Sequence, residues 1–595
     1  MHRIRLHRLA ACLALTTCAA CAGPLDHREF DATLHAPYAA EKTAGDTEAR
    51  SFTMAFSYPH VETAQDISWR LALIGPAGQE VRRWEGVERL LERPLTVTVR
   101  WPGRVGGALL PDGVYRVRLQ ASARPAGPRA DPSGEAIDQA FEQAGDELVE
   151  QAWDIAVGPR TPPALPPFSP LPTGAAGDAP GAAGMLAAPH AAPAPAALPY
   201  TVYYGNLHSQ TNHSDGGGAL ATCTGAQTPQ TGVGSPADAY AYAREHGLDI
   251  LMASEHNHMY DGSDGTNTAA DPAAARALYQ SGLAAAAGFS ASHPGFLALY
   301  GLEWGVITNG GHMNIFNSPA LLEWERNAGG QLIGDTLTPK SDYAALYTVM
   351  RQRRWVGQFN HPALNGQFLV NGVALGYTAD GDQAMALCEV LNSSAFSANT
   401  TETETRRSNY EAACDKALEA GYHLAFSSDQ DNHCANWGAS YSNRTGVLIP
   451  NGVALSQASF LEAVRARRVF ATMDKNAQLV LTANGHIMGE RFANSGLLTL
   501  TVNFASGDGQ TVSTVELMEG VPGRNGTVSV LAASATASVT PSVGEHFYYA
   551  RLTQSDGKIL WSAPVWVTQS VTGGAGAAVA TPGKQGKPGR EGRSG

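Results

Sequence analysis

The stretch His208-Ser209-Gln210-Thr211-Asn212-His213-Ser214-Asp215-Gly216 decides how the rest of this chain is interpreted. It follows a β-rich run at 200–204, and it places the carboxylate of Asp215 in a glycine-rich turn. Imidazole and carboxylate groups at the end of a strand are the ligands that zinc or manganese requires. The same residue types are common in ordinary loops, so the metal interpretation depends on whether similar stretches follow.

Between about 200 and 450 the sequence alternates strand-like and helix-like segments. Ser235-Pro236-Ala237-Asp238 predicts a helix start, because Ser caps the first turn, Pro fits it and an acid lies near the positive end of the helix. This helix is expected to end near Gly247. Buried strands are predicted at 249–253, 296–302, 355–359, 385–391, 423–426 and 445–449. Repeated βα units imply a parallel sheet or a barrel, with function at the carboxyl ends of its strands.

Ionisable residues lie at or just after the ends of most of these predicted strands. They are His256, Glu303, His312, His361, Glu389, Asp429, Asp431 and His433. Each of them alone could cap a loop or form a local hydrogen bond. Their recurrence at five or six successive strand ends predicts a shared metal site.

The order and spacing of these residues resembles the PHP (polymerase and histidinol phosphatase) metallohydrolase superfamily, in particular its secreted branch similar to carbaryl hydrolases. The resemblance spans about 201–450. The family pattern His-x-His-Thr-x-x-Ser-Asp-Gly is met at 208–216 except at Gln210, and the closing Asp-x-His element is met by His433 with either Asp431 or Asp429. The resemblance implies an α/β fold, a distorted (β/α)7 barrel, that holds two or three divalent ions such as zinc, manganese or iron.

The resemblance also implies roles for individual residues. Glu303 is the expected bridging carboxylate, and Glu303, His256 and Asp431 are the expected catalytic residues. The implied ligands are His208, Gln210 and Asp429 or Asp431 for one ion, His312 and His361 for a second, and Asp215, His256 and His433 for a third. Two ions held by a bridging carboxylate can share a hydroxide and stabilise charge on a substrate oxygen.

Gln210 departs from the family pattern. Its amide oxygen is neutral and a poorer zinc ligand than imidazole, so the first ion is expected to be weakly held or to be a harder metal such as manganese. The extreme alternative is a degenerate site that serves only for binding.

Three functions follow from these features. The first is hydrolysis of a small-molecule ester by a metal-bridged hydroxide, with a phosphoester preferred because divalent cations neutralise its oxygens. The second is hydrolysis of a carbamate, an amide or a carboxylic ester. The third is a non-catalytic cell-surface binding protein with a degenerate site.

Other polar residues near the predicted site have lesser expected roles. Arg444 is expected either to clamp an anionic substrate or to form an ordinary surface ion pair. Glu389 is expected to orient a ligand, whereas His213 and His258 are expected to face solvent or to bond the local backbone. The polar stretch around Arg407 predicts a solvated helix face.

The N-terminus has the order of a secretory signal. Arginines at 3, 5 and 8 precede an apolar run and a small-residue region, and residues 1–21 resemble the signal of a bacterial lipoprotein. Either Cys21 or Cys18 fits as the processed cysteine, and ordinary cleavage near Ala22 is the alternative. We therefore expect a periplasmic or cell-surface protein that is lipid-anchored to a bacterial membrane.

Four cysteines remain beyond the signal. In an oxidising compartment they allow three pairings, among which sequence alone does not choose. We favour Cys388 with Cys414 and Cys223 with Cys434, because the latter two each lie just beyond a proposed ligand cluster.

The regions on either side of the predicted metallohydrolase domain (200–472) differ from it in composition. Residues 26–50 predict a poorly ordered lead-in, and 51–158 alternate with period two between Gly and Pro turns, which is typical of a small immunoglobulin-like β-sandwich. A Pro/Ala/Gly linker is predicted at 159–199, a second β module at 473–570 and a disordered tail at 571–595.

Length and charge exclude several classes of protein. A chain of 595 residues predicts more than one domain. The net charge of −13 argues against a nucleic-acid binder, which would show a basic surface. The sequence lacks an apolar run of the roughly 18 residues that a membrane span needs, so membrane contact is expected only through the N-terminal anchor.

Overall fold

The computed structural model describes residues 30–40, 48–58, 61, 63–91, 94–128, 131–145, 148–174, 197–223, 225–307, 310–362, 368–371 and 373–571. The predicted signal, the middle of the predicted linker at 175–196 and the tail from 572 lie outside these residues. Among the described residues, no helix combines the length and the apolar character needed to cross a membrane.

Helices are concentrated in the central part of the chain. They are α1 (Gly134–Ala144), α2 (Pro236–Glu245), α3 (Pro272–Ser292), α4 (Tyr343–Arg353), α5 (Ala379–Ala384), α6 (Glu411–Ala420) and α7 (Gln457–Arg465), with a 3-10 turn at Asn257–Asp261. The start of α2 confirms its prediction, because Ser235 and Asp238 form a reciprocal capping box there.

Strands occur in all three parts of the chain. The N-terminal ones are β1 (Asp31–His35), β2 (Arg50–Ser57), β3 (Gln65–Ile74), β4 (Glu80–Leu90), β5 (Leu95–Trp101), β6 (Arg104–Val105), β7 (Ala108–Leu109), β8 (Gly113–Pro125) and β9 (Val149–Val157). The central ones are β10 (Tyr200–Asn206), β11 (Ile250–His256), β12 (Leu297–Val306), β13 (Gly311–Ile315), β14 (Leu322–Glu323), β15 (Thr336–Leu337), β16 (Gly357–Phe359), β17 (Met385–Ser393), β18 (Arg407–Asn409), β19 (Ala425–Asp429), β20 (Arg444–Pro450) and β21 (Val469–Thr472). The C-terminal ones are β22 (Ala477–Ala483), β23 (His486–Ile487), β24 (Arg491–Ser495), β25 (Leu498–Ser506), β26 (Val512–Gly520), β27 (Ser529–Ala532), β28 (Thr536–Val539), β29 (Gly544–Gln554), β30 (Ile559–Ser562) and β31 (Val565–Ser570).

The N-terminal module (31–157) is built mainly of two antiparallel sheets, in the orders β1-β2-β5 and β4-β3-β8-β9. Along β2 buried and half-buried residues alternate, as expected for a strand with one face on a core. The module begins earlier than the sequence predicts, because β1 lies within the predicted lead-in and pairs with β2. A strand of five residues is too short to give a clear alternating pattern.

The central strands form a mixed sheet. All of the strands predicted there are present, but they begin or end at slightly different residues. Strands β10, β11 and β12 are parallel, and so are β16, β17 and β19. An unpredicted strand, β13, joins the two groups by pairing antiparallel with both β12 and β16. Strand β20 pairs antiparallel with β10, and in the described part of the chain no ladder joins β19 to β20.

The C-terminal strands continue this sheet, because β21 pairs with β30 across the predicted domain boundary. A second layer, in the order β23-β22-β25-β28, packs beside them. The N-terminal end of the predicted linker also packs here, since the backbone N–H of Leu171 donates to the Gln478 side chain at 2.9 Å.

The N-terminal module is fixed to the other two parts through polar contacts. Asp154 forms an ion pair with Arg551, and Tyr38 lies 2.7 Å from Ser513 Oγ. Gln151 Oε1 accepts a hydrogen bond from the backbone N–H of Asn409 at 2.7 Å.

The segment that contains Asn409 is strand β18, so the predicted solvated helix around Arg407 is wrong. In this strand Arg407 pairs with Ser393 of β17. Such edge pairing is long-range and leaves no local signal.

Candidate metal centre

Glu303 lies at the centre of the predicted ligand residues. Its Oε1 lies 3.0 Å from His208 Nε2, 3.2 Å from His312 Nδ1 and 3.3 Å from His361 Nε2. All four side chains are buried or nearly so. Three imidazole nitrogens around one carboxylate oxygen are the arrangement expected of ligands that converge on a cation.

The other side of Glu303 faces a second set of residues. Its Oε2 lies 3.5 Å from His256 Nδ1, and His256 Nε2 lies 3.6 Å from Asp215 Oδ1. His433 Nε2 lies 3.5 Å from the same Asp215 oxygen. The ring of His256 therefore lies between Glu303 and Asp215.

Three groups of potential ligands have their ligand atoms within 4.8 Å of one another. They are His208, Glu303 and His361; His256, Glu303 and His312; and Asp215, His256 and His433. The third set is the one that the family resemblance implies. The other two differ from the implied sets, because His361 lies with His208 and His312 lies with His256.

The sheet brings these residues together from distant parts of the chain. His256 at the end of β11 pairs in register with Glu303 of β12, and His312 of β13 lies opposite Gly305. His361 and Asp431 have φ values of 28° and 49°, in the left-handed region that non-glycine residues rarely adopt. Strained backbone of this kind clusters at functional sites, where surrounding contacts hold it.

The two candidate aspartates differ in their contacts. Asp431 Oδ1 lies 3.0 Å from His208 Nε2 and 3.6 Å from His433 Nδ1. The carboxylate of Asp429 instead accepts hydrogen bonds from the Leu207 backbone N–H at 2.7 Å and from Gln358 Nε2 at 3.1 Å. Asp431 is therefore the aspartate that joins the cluster.

Gln210 occupies a position inside the cluster. Its Nε2 donates to Glu303 Oε2 at 2.6 Å, and its Oε1 accepts from Ser214 Oγ at 3.1 Å. The amide thus lies where the family pattern has a second imidazole, and it contacts the central carboxylate directly.

Several residues hold the ligands in place. Glu389 Oε1 lies 3.1 Å from His208 Nδ1, as the prediction of an orienting carboxylate requires, and its Oε2 accepts the backbone N–H of His361 at 2.6 Å. Asn360 Nδ2 donates to Glu303 Oε1 at 2.8 Å. The sequence analysis does not single out Asn360, because an amide beside a histidine has many ordinary uses.

Arg444 and two histidines lie outside the cluster. Arg444 is buried and pairs with Glu402 at 2.6 Å, while its other donors bond backbone carbonyls of Tyr441 and Asn443. It forms an ion pair as one alternative predicted, but a buried one. His213 Nδ1 lies 2.6 Å from Tyr300 Oη. His258 is buried, with Nε2 3.4 Å from Asp264 Oδ1, so the expectation that it faces solvent is wrong.

The electrostatics of the cluster favour a cation. Burial alone lowers the pKa of the His208 imidazole, but Asp431, Glu303 and Glu389 outweigh burial and raise this pKa well above its usual value. Burial likewise lowers the pKa of His433, whereas Asp215 and Asp431 raise it to about 10. The carboxylates thus stabilise positive charge here, and the donor set of imidazole nitrogens and carboxylate oxygens suits zinc, manganese or iron.

A cleft opens over His361, Asp431 and His433. Its walls include residues 392–396 of the central part and Asp31 and Ser57 of the N-terminal module. Burial raises the pKa of the Asp31 carboxyl to about 6, although Arg406 and His361 act in the opposite direction. Sequence reasoning did not identify Asp31, because it lies far from every motif and in a predicted lead-in.

Two disulfides confirm the favoured pairing. Cys223 is bonded to Cys434 and Cys388 to Cys414. The first joins the loop after Asp215 to the residue that follows His433, so it ties together two segments that supply ligands.

Comparisons with known proteins give only slight likenesses. No family model matches the sequence, and no curated protein matches it. Among solved structures, the chain is similar to a two-domain protein from Bacteroides vulgatus ATCC 8482 that contains a predicted PHP-like metal-dependent phosphoesterase, with 14% identity, a TM-score of 0.30, and coverage of 69% of this chain and 99% of that chain. It is also similar to β-glucuronidases from Bacteroides uniformis and Parabacteroides merdae, each at 9% identity and a TM-score of 0.15, with coverage of 91% of this chain and of 62% and 65% of those chains. Likenesses this low support no inference about activity.

Proposed function

We propose that this protein is a metal-dependent hydrolase of phosphoesters that belongs to the PHP superfamily. The observation that supports it is the convergence of three imidazole nitrogens on one oxygen of Glu303, beside a second group that contains Asp215, His256 and His433. Such a buried set of ligands, open to a cleft, is the arrangement of a catalytic metal site rather than of a closed structural one. The barrel and the immunoglobulin-like modules of the resemblance are part of this proposal.

The chain's own residues would hold and orient the reactants. Two or three divalent ions would supply Lewis acidity and lower the pKa of a water molecule. Glu303 would bridge two ions, His256 would connect the two groups, and Asp431 would present its carboxylate to the cleft. Hydrolysis adds the oxygen of one water molecule to phosphorus, breaks the P–O bond to the alcohol and passes a proton to the leaving oxygen.

Activity assays and metal analysis test this function together. The full-length protein, loaded with manganese or zinc, is assayed on p-nitrophenyl phosphate, bis(p-nitrophenyl) phosphate and a naphthyl carbamate. Chelator-sensitive release of nitrophenolate is expected, whereas turnover of the carbamate alone would favour the alternative ester class. Less than one equivalent of transition metal by mass spectrometry, or no turnover on any substrate, would contradict the proposal.

We also propose that the protein is exported and anchored by a lipid. Two disulfides within the described residues support an oxidising compartment. Labelled palmitate is expected to enter the precursor expressed in a bacterium and to be lost when Cys18 and Cys21 are both replaced by Ala. A precursor that stays unlabelled would contradict the anchor.

A further inference from the structure

The N-terminal module contributes two residues to the lining of the cleft, and contacts with the rest of the protein fix its position. Asp31 and Ser57 lie opposite each other in the pairing of β1 with β2, and both line the cleft together with His361, Asp431 and His433. The module is fixed to the rest of the protein by the Asp154–Arg551 ion pair. Residues of a separate module thus face the candidate metal centre directly.

Apart from the candidate ligands, the cleft is lined by one acidic residue, two aromatic residues and small or polar residues. Asp31 contributes a carboxylate, and Phe396 and Tyr410 contribute aromatic rings, the first with its centroid 5.0 Å from that of His433. Most of the other residues outside the candidate ligands are Ser, together with Asn392. None of the described residues that line the cleft is Lys or Arg, although Arg406 lies close enough for its charge to act on Asp31.

A cleft lined by both a carboxylate and aromatic rings suits an organic ammonium group. The ammonium donates charge-assisted hydrogen bonds to the carboxylate, and ring faces attract the same cation. In a phosphodiester bound at the ligand cluster, one alcohol would be the leaving group and the other ester arm would lie along the cleft. Asp31 is one of the residues that line that cleft.

We propose that Asp31 is a substrate-binding residue, and that this protein selects phosphodiesters whose non-leaving arm carries an ammonium group. This inference rests on the proposed phosphoesterase function and specifies its substrate class. It also gives the N-terminal module a direct part in substrate recognition.

Two substrates that differ only in the ammonium group test the inference. They are 4-nitrophenyl 2-aminoethyl phosphate and 4-nitrophenyl propyl phosphate, and the readout is the ratio of their kcat/KM values with the metal-loaded full-length protein. The wild type is expected to favour the aminoethyl substrate by at least about tenfold, the usual effect of one charged hydrogen bond. Most of this preference should appear in KM.

Three variants give the controls. Asp31→Asn keeps the shape without the charge and is expected to bring the ratio close to one, whereas Asp31→Lys should reverse it. Glu142→Gln makes the same change of charge on an exposed face of the same module and should keep the wild-type ratio. Thermal melting and metal content establish that each variant is folded.

The outcomes are distinguishable. A wild-type ratio near one overturns the inference even if no variant folds, and so does a preference that Asp31→Asn retains. In both cases turnover of the two diesters leaves the proposed function standing. If the metal-loaded wild type cleaves neither diester nor any compound of the wider panel, the function itself is wrong and the inference is wrong with it.

Discussion

Glu389 Oε1 lies 3.1 Å from Nδ1 of His208, and Nε2 of the same ring lies 3.0 Å from Oε1 of Glu303. One nitrogen of the ring is thus engaged by a carboxylate behind it while the other faces the candidate centre. A carboxylate in this position fixes the tautomer and orientation of a ligating imidazole and increases its basicity.

We expect Glu389→Gln to weaken metal binding about 10- to 100-fold, the usual effect of losing an orienting partner. Turnover should fall in parallel, because the ring would no longer be held with Nε2 towards Glu303. Metal affinity is measured by competition with a chromogenic chelator. The matched control is Glu419→Gln, a buried carboxylate that accepts backbone N–H groups at 526–528 and should leave metal affinity unchanged.

Glu303→Gln should have a larger effect. The amide keeps the shape but removes the negative charge that three imidazoles surround. We expect metal content below one equivalent and turnover at least about 100-fold lower. The wild type treated with a chelator should lose activity similarly and recover it on addition of manganese or zinc. A variant that keeps full metal content and full turnover would contradict the central role of Glu303.

Local signals explain what the sequence could predict. The start of α2 depends on Ser235, Pro236 and Asp238, which are close in sequence, and the buried strands depend on short apolar runs. Both can therefore be predicted from a single sequence. Most candidate ligands follow those runs directly. The antiparallel strand β13 could not be predicted, because its pairing with β12 and β16 is decided by tertiary contacts.

The same reason limits the prediction of the site. Both Asp429 and Asp431 fit the family spacing, and only the fold shows that the Leu207 backbone and Gln358 engage the first. Asp31 belongs to a module whose docking depends on partners such as Arg551, far away in sequence. Contacts of this kind have no periodic pattern or motif.

The disulfides should contribute measurably to stability. Their cysteines are separated by 26 residues in Cys388–Cys414 and by 211 in Cys223–Cys434. Loop entropy in the unfolded chain then predicts losses of about 3.5 and 5 kcal/mol respectively when each pair is replaced by Ala, as upper values. Urea unfolding under non-reducing conditions measures these losses. Unchanged unfolding midpoints in both double variants would contradict the pairing.

The two disulfides should differ in their effect on metal binding. Cys434 follows His433 directly, whereas Cys388 and Cys414 join β17 to α6. We expect Cys223→Ala with Cys434→Ala to weaken metal binding roughly tenfold, because the loop that holds His433 loses its attachment. The other double variant is the comparison: Cys388 precedes the orienting Glu389, but the pairing of β17 with β16 and β19 still holds that strand, so metal binding should weaken less.

The junction between the N-terminal and C-terminal modules should depend on pH. Burial would raise the pKa of Asp154, but Arg551 and Arg116 outweigh it and hold this pKa below its usual value. The stabilisation by Asp154 is therefore fully present above the unfolded pKa near 4 and is lost as the pH falls through the lower folded value. Asp154→Asn should cost about 3 kcal/mol at pH 7 and progressively less below pH 4.

Chemical unfolding of the wild type and of Asp154→Asn between pH 3 and pH 8 tests this dependence. Asp138→Asn is the control, since Asp138 is exposed and pairs with Arg70 at the surface, where an ion pair contributes at most about 1 kcal/mol. A loss of stability in Asp154→Asn that stays constant down to pH 3 would show that charge at Asp154 is not its cause.

Replacing Gln210 by His tests the departure from the His-x-His pattern of the resembled family. The amide contacts Glu303 Oε2 at 2.6 Å, and an imidazole there would offer a nitrogen that binds zinc better than an amide oxygen does. We expect Gln210→His to bind zinc roughly tenfold more tightly than the wild type, with a smaller gain for manganese. Chelator competition measures both affinities, and Gln227→His, a change outside the cluster in the same part of the chain, should alter neither. Equal or weaker zinc binding in Gln210→His would mean that Gln210 acts as a hydrogen-bond donor to Glu303 and not at a ligand position.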